Sequence, residues 1–162
     1  MISKFSYFRR RNRFLIARIR KLNEDDLPAL KEIDNYNAKI LVEELESKED
    51  STYKAYGIFF DLDILVGFCS ISKAEDYSNY KYYDNDSLAI DEVYLLPDYN
   101  KITSLYCDLL DFVLNDKENK DCNIFFNNNI NLDESYYTHL GFDIIEDGIL
   151  VRIKQLNIDK EE

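Results

Sequence analysis

The spacing of apolar positions changes period along the chain, and each change marks an element. Leu15 to Leu22 alternates as a strand, with Ile19 at its centre. Asn23 can cap the helix that follows, with Asp26 three positions on and Pro28 in the first turn, where a missing N–H costs nothing. Leu27, Leu30 and Ile33 make the apolar face of that helix. Beyond DNYN, Ala38 to Ser47 predicts a second helix, with Leu41 and Leu45 opposite Glu43, Glu44 and Glu46. The loop between the two helices is placed to form the rim of a site. Tyr53 to Phe60 and Ile64 to Ile71 read as two antiparallel strands joined across Asp61-Leu62-Asp63.

The second half alternates strand and helix. LAIDEVYLLP, from Leu88, is an apolar strand that reaches Pro97 and passes through DYNK into ITSLYCDLLDFVL. There Leu105, Leu109, Phe112 and Val113 recur at helical spacing. A short strand from Cys122 to Phe126, a helix around YYTHL, the segment GFDII, a turn at Glu146-Asp147-Gly148 and a last strand from Ile149 to Ile153 complete the order. Antiparallel strands followed by βαβ crossovers predict an α/β fold: a mixed sheet with helices on its faces. Two neighbouring parallel strands, Leu88 to Leu96 and Cys122 to Phe126, are expected to part into a cleft. The helix that follows the first of them opens with unpaired N–H groups, which attract anions.

The chain has 162 residues, enough for one domain with a sizeable core, and 46% of them are apolar. Four glycines and two prolines argue against linkers and repeats. No apolar run has the length of a membrane span, so no membrane role is expected. Cys69, Cys107 and Cys122 are odd in number and widely spaced, which disfavours a disulfide framework and points to a reducing, cytoplasmic setting. No His, Cys, Asp or Glu cluster has metal-site spacing, and no Ser-His-acid arrangement is evident.

Charge divides the chain. The formal net charge is -12, yet the first 21 residues carry eight Lys or Arg and no acid. Residues 1–14, MISKFSYFRRRNRF, read as a basic N-terminal extension to a single domain over 15–162. That arm suits a resting place on the acidic body of its own or a neighbouring subunit, as in a homodimer. The alternative is contact with nucleic acid, which eight cations on so acidic a protein make unlikely. An acidic body steers cationic partners towards itself. The tract from Ser72 to Ser87, with Tyr77, Tyr80, Tyr82 and Tyr83, reads as a surface loop that can also face a substrate.

A first strand followed by RKLNEDDLPALKEI, a central DEVYLLPDY running into a helix, and a late YYTHLGF resemble the Gcn5-related N-acetyltransferase (GNAT) superfamily, from about Ile16 to Lys154. The resemblance implies an acyl-CoA N-acyltransferase-like fold with a centrally splayed sheet. It also implies acetyl-CoA as co-substrate and, as acceptor, an amine-bearing small molecule or peptide. Pantetheine would pair with the strand at Val93, Tyr94, Leu95 and Leu96. The family's pyrophosphate loop, usually Gln/Arg-x-x-Gly-x-Gly/Ala, falls on Asn100, Lys101, Ile102, Thr103, Ser104 and Leu105, which include no glycine. That departure implies weaker binding, or a noncatalytic binding protein on the same scaffold. Glu92 stands where many members place a general base, and alternation puts it on the face of Tyr94 and Leu96, with Asp91 opposite. Tyr137, four residues before Gly141, matches the general acid, and Asn129 or Asn131 matches the asparagine ahead of the late helix. His139 is expected on the side away from the cleft.

Overall fold

The computed structural model describes residues 4–10, 13–47, 53–61, 63–128, 130, 132–146 and 148–154, with strand residues 4–10 and 13–16 described by their backbone alone. One eight-stranded mixed sheet runs through the molecule in the order β1-β2-β3-β4-β5-β6-β8-β7. The strands are β1 (Lys4–Arg10), β2 (Arg13–Lys21), β3 (Lys54–Phe60), β4 (Ile64–Lys73), β5 (Leu88–Leu95), β6 (Ile124–Asn127), β7 (Phe142–Glu146) and β8 (Ile149–Arg152). Four α-helices interrupt them: α1 (Leu27–Lys31), α2 (Tyr36–Ser47), α3 (Thr103–Asn115) and α4 (Glu134–His139). Lys4–Arg10, within the stretch expected as an extension, pair antiparallel with β2 from Lys4↔Ile19 to Arg10↔Arg13, so the sheet has one strand more than the hydrophobic pattern marks.

The two faces of the sheet carry different cores. Leu88, Ile90, Val93 and Leu95 of β5 pack with Leu105, Leu109, Leu110 and Val113 of α3. The opposite face packs Phe59, Leu65 and Phe68 against Leu30 and Ile33 and against Ala38 and Leu41 of α2, with Tyr94 and Leu96 at the margin. Further along that face, Tyr77, Tyr80 and Tyr83 of the 72–87 segment cover Phe125, and Tyr77 stacks on its ring at 5.0 Å. This tract is a loop at the surface, as expected, and its partly buried tyrosines also cover a small third core.

Asn23 caps the first helical turn, as expected: its side chain accepts from the Asp25 N–H, and the Asp26 carboxylate in turn accepts from the Asn23 N–H. Asp26 is also held by Arg20 through two 2.8 Å hydrogen bonds. At the other end, Arg152 of β8 lies buried and donates to the carbonyls of Leu114, Asn119, Lys120 and Cys122. One guanidinium thus ties the C-terminal end of α3 to the loop entering β6. Gly141 closes α4 at φ +94, a left-handed conformation that favours glycine, and its N–H donates to Thr138 O at 3.0 Å.

Candidate active site

The site begins where β5 and β6 separate. β5 pairs with β4 from Lys73↔Leu88 to Gly67↔Leu95, but with parallel β6 only at Leu88↔Ile124, Ala89↔Phe125 and Ile90↔Phe126. Beyond that fork the β6-facing edge of β5 has no strand beside it among the described residues. A peptide edge of this kind offers N–H and C=O groups to an extended amide-bearing ligand. The expected parting of the two strands is therefore present.

A bulge sets the side-chain directions on that edge. Ser70 pairs with Glu92 and Ile71 with Ile90, so Asp91 is an extra residue on β5. Strict alternation would put Leu88, Ile90, Glu92 and Tyr94 on one face; instead Leu88 and Ile90 share the α3 core with Val93 and Leu95. Glu92 turns to the face of Tyr94 and Leu96, as expected, where Asn37 Nδ2 donates to its Oε2 at 2.7 Å. Burial raises the Glu92 carboxyl above its ordinary value, and the Asn37 hydrogen bond opposes that rise. From α3, Tyr106 lies near Glu92 and Tyr94; burial, then these two neighbours, push its phenol up.

Asp91 was expected opposite Glu92, and the bulge corrects this. It lines a cavity of about 400 Å³ with Ser72, Asp76, Tyr77, Ala89 and Asn127, on the face away from α3. The cavity touches the fork, since Ile90 belongs to the last β5–β6 pair and Asn127 directly follows its partner Phe126. Asp91 Oδ2 is buried without a hydrogen-bond partner among the described residues. Burial raises this carboxyl, a Ser72 hydrogen bond lowers it, and the negative charge of Asp76 raises it further. Lys73, the cation lining the cavity, donates to Asn85 O at 3.4 Å. The cavity thus holds carboxylate charge that a cation would relieve.

The loop from β5 to α3 is built from tight turns. Tyr99 N–H donates to Leu96 O, Ile102 N–H to Tyr99 O and Leu105 N–H to Ile102 O. Those amides are spent internally. The amides of Thr103 and Ser104 have no backbone acceptor among the described residues, and no acid stands in the first turn of α3. They form the anion-facing end of the helix, with Lys101 exposed beside them. Asn100, Ile102 and Leu105 differ in surroundings: Leu105 is buried in the α3 core and Ile102 packs against it, while Asn100 is exposed.

Across the fork, Tyr137 is 1% exposed, with its ring between Phe126 and Phe142. Its hydroxyl donates to Ile130 O at 2.9 Å and also meets the Asn128 side chain. Burial pushes the phenol up to about 12, so it keeps its proton at neutral pH. Asn129 and Asn131 lie outside the described residues; Asn128, one position earlier, touches Tyr137. His139 is exposed in the last turn of α4. Burial raises the thiols of Cys69, Cys107 and Cys122, which makes all three poor nucleophiles.

Asn37 and Tyr106 were not singled out in the sequence. The rim position of the loop between the two helices was the available signal for Asn37. Nothing in its period separates Tyr106 from the packing residues of α3. Among the described residues, no His, Cys, Asp or Glu group is arranged to hold a metal ion, and no helix is long and apolar enough to cross a membrane.

Solved acetyltransferase structures, GNAT-family members among them, share this fold. The ribosomal-protein-S18-alanine N-acetyltransferase from Escherichia coli superposes over 88% of this chain and 97% of its own, with a TM-score of 0.59 and 16% identity. A GNAT-family acetyltransferase from Brucella melitensis, solved in complex with acetyl-CoA, covers 88% of this chain and 90% of its own at TM-score 0.59 and 14% identity. The aminoglycoside 6'-N-acetyltransferase AAC(6')-Ih from Acinetobacter baumannii covers 80% and 92% at TM-score 0.53 and 15% identity. No protein-family model and no curated protein sequence matches the chain.

Proposed function

We propose that the protein is an N-acetyltransferase that moves an acetyl group from acetyl-CoA to a primary amine by direct transfer in a ternary complex. The observation that carries this reading is the β5 edge beyond Ile90, unpaired among the described residues, which leads through a short loop to the α3 N-terminus and carries a half-buried Glu92. The residues present fit the co-substrate. The β5 edge suits an amide-bearing arm through Tyr94 and Leu95, and the Thr103 and Ser104 amides with Lys101 suit a pyrophosphate. With the Tyr99, Ile102 and Leu105 amides turned inward, fewer donors reach that anion than in a glycine-rich loop, and binding is correspondingly weaker.

Bound acetyl-CoA supplies an acetyl group activated as a thioester. In this reading Glu92, acting through water, takes the proton of the acceptor ammonium, which leaves a nitrogen lone pair free to attack. Tyr137 donates its phenolic proton to the sulfur as the C–S bond breaks, and the second proton that the nitrogen sheds as the amide C–N bond forms restores the phenol. The hydroxyl must first release Ile130 O. Holding the amine beside the thioester supplies much of the acceleration before either proton moves. The raised cysteine thiols favour this route over a covalent acetyl-enzyme.

For the acceptor, the cavity with Asp76 and Asp91 supports an amine carrying a further positive charge, such as a polyamine, an aminoglycoside or a basic peptide. An acceptor screen with acetyl-CoA, read by mass spectrometry of the acetylated amine, tests the reading. Transfer to diamines and amino sugars supports it. Binding of acetyl-CoA with no acceptor modified favours a noncatalytic binding protein on the same scaffold.

A further inference from the structure

Glu92 is held from a distant part of the chain. Asn37, the second residue of α2, reaches it with a 2.7 Å hydrogen bond. The start of that helix is itself fixed. Asn35 Oδ1 accepts from the Ala38 N–H at 3.0 Å, and Asn35 O accepts from the Lys39 N–H at 3.2 Å. Asn37 therefore arrives on a capped helix N-terminus, whose partial positive charge also favours a carboxylate. Its neighbour Tyr36 is 76% exposed, so the start of α2 lies at the surface.

The other groups around Glu92 give it no cation. Tyr106 reaches it from α3 and Cys69 lies near it on β4, while Asp91 and Tyr94 are its neighbours along β5. None of these is a cation, and Asp91 is a carboxyl like Glu92 itself. Glu92 takes part in none of the ion pairs among the described residues. Its second oxygen, Oε1, has no protein partner among them.

We infer that Asn37 is a positioning residue for Glu92: its amide engages one carboxylate oxygen, fixes the side chain from the α2 side of the fork, and leaves Oε1 as the proton-accepting atom. The inference rests on the reading of Glu92 as the base. Burial pushes the Glu92 carboxyl up and the Asn37 amide pulls it down, so the bond also decides how far below neutrality the carboxylate persists. Removing the amide leaves burial unopposed. The carboxyl then holds its proton to higher pH, and a base that is protonated accepts nothing.

The test uses the full chain as wild type, Asn37→Ala and Asn37→Asp, with the Glu92 carboxyl titrated by carbon NMR in the absence of acetyl-CoA. The titration midpoint is expected to rise in Asn37→Ala. It should rise further in Asn37→Asp, which keeps the shape, loses the donor and adds a like charge. In the transfer assay, kcat/KM of Asn37→Ala should fall on the order of ten-fold near about pH 6, with the deficit closing towards about pH 9. Equal midpoints in all three proteins, or a loss of rate that is the same at every pH, overturns the inference. Because the titration needs no turnover, a protein that transfers nothing but whose midpoint still rises in Asn37→Ala retains the positioning and loses only the catalytic reading.

Discussion

Ile90 faces Phe126 as the last pair between β5 and β6, and beyond it β5 continues, among the described residues, against β4 alone. An edge released at one residue pair has a direct consequence for exchange. In the free protein the β6-facing amides of β5 past Ile90 should exchange quickly with solvent, as should those of Thr103 and Ser104. Acetyl-CoA should protect both sets together, and Lys101→Ala should weaken its binding by about three- to ten-fold in calorimetric titration through loss of a charge-assisted contact. Protection confined to one set would break the proposed path along the strand to the helix.

Glu92 sits in the gap with its carboxyl raised above the ordinary value by burial. The acid limb of kcat/KM should therefore lie above that of a solvated glutamate, with activity falling as pH drops through it because the base becomes protonated. Glu92→Gln keeps the shape and should lower turnover by about 100-fold near neutrality. The deficit should shrink as pH rises and the acceptor amine loses its own proton. A deficit independent of pH would place Glu92 in binding rather than proton transfer.

Tyr137 combines a buried ring with a bonded hydroxyl, so its removal has two separable effects. Tyr137→Phe should lower turnover by roughly 10- to 1000-fold with acetyl-CoA affinity nearly unchanged. It should also cost about 1 to 2 kcal/mol of stability, through the lost bonds to Ile130 and Asn128. The phenol is raised to about 12, so its contribution is present below the ordinary tyrosine value of about 10 and is lost as pH rises through the folded value. Denaturant midpoints measured from about pH 9 to 11 should fall less steeply in Tyr137→Phe than in wild type.

Most of the architecture was legible because it follows from period. The hairpin of β3 and β4, the strand Leu88–Leu95 and the apolar face of α3 rest on local spacing, and Gly141 marks the end of α4. The bulge at Asp91 was not legible. The sequence LAIDEVYL reads as an apolar strand with two adjacent acids, which do not by themselves mark an inserted residue; it shows only when the register against β4 is known. Strand β1 escaped for a related reason, since KFSYFRR reads as a charged arm until β2 supplies its partner. Asn37 and Glu92 are 55 residues apart, and no local pattern joins a helix start to a strand that far away. The basic arm illustrates the reverse case: net charge described a partner surface, whereas backbone pairing decided what the residues build.

Arg152 is another residue whose work is visible only in three dimensions. Four carbonyls from Leu114, Asn119, Lys120 and Cys122 converge on its guanidinium. Arg152→Met should cost about 3 kcal/mol, because buried carbonyls are left without donors, and Arg152→Lys should recover only part of it. Urea denaturation checks the order. Activity per folded molecule should be unchanged, since the residue holds the end of α3 remote from the fork.

The most direct measurement is the rate of free thiol release from acetyl-CoA with a diamine, run side by side on wild type, Glu92→Gln and Asp91→Asn. If the fork is a transfer site with an acidic acceptor cavity, wild type releases thiol in an amine-dependent manner and Glu92→Gln is slowed chiefly in kcat. Asp91→Asn should raise the diamine KM by about ten-fold while leaving a monoamine nearly unaffected. Amine-dependent release that is equal in wild type and Glu92→Gln, or no release although acetyl-CoA binds, would contradict the account.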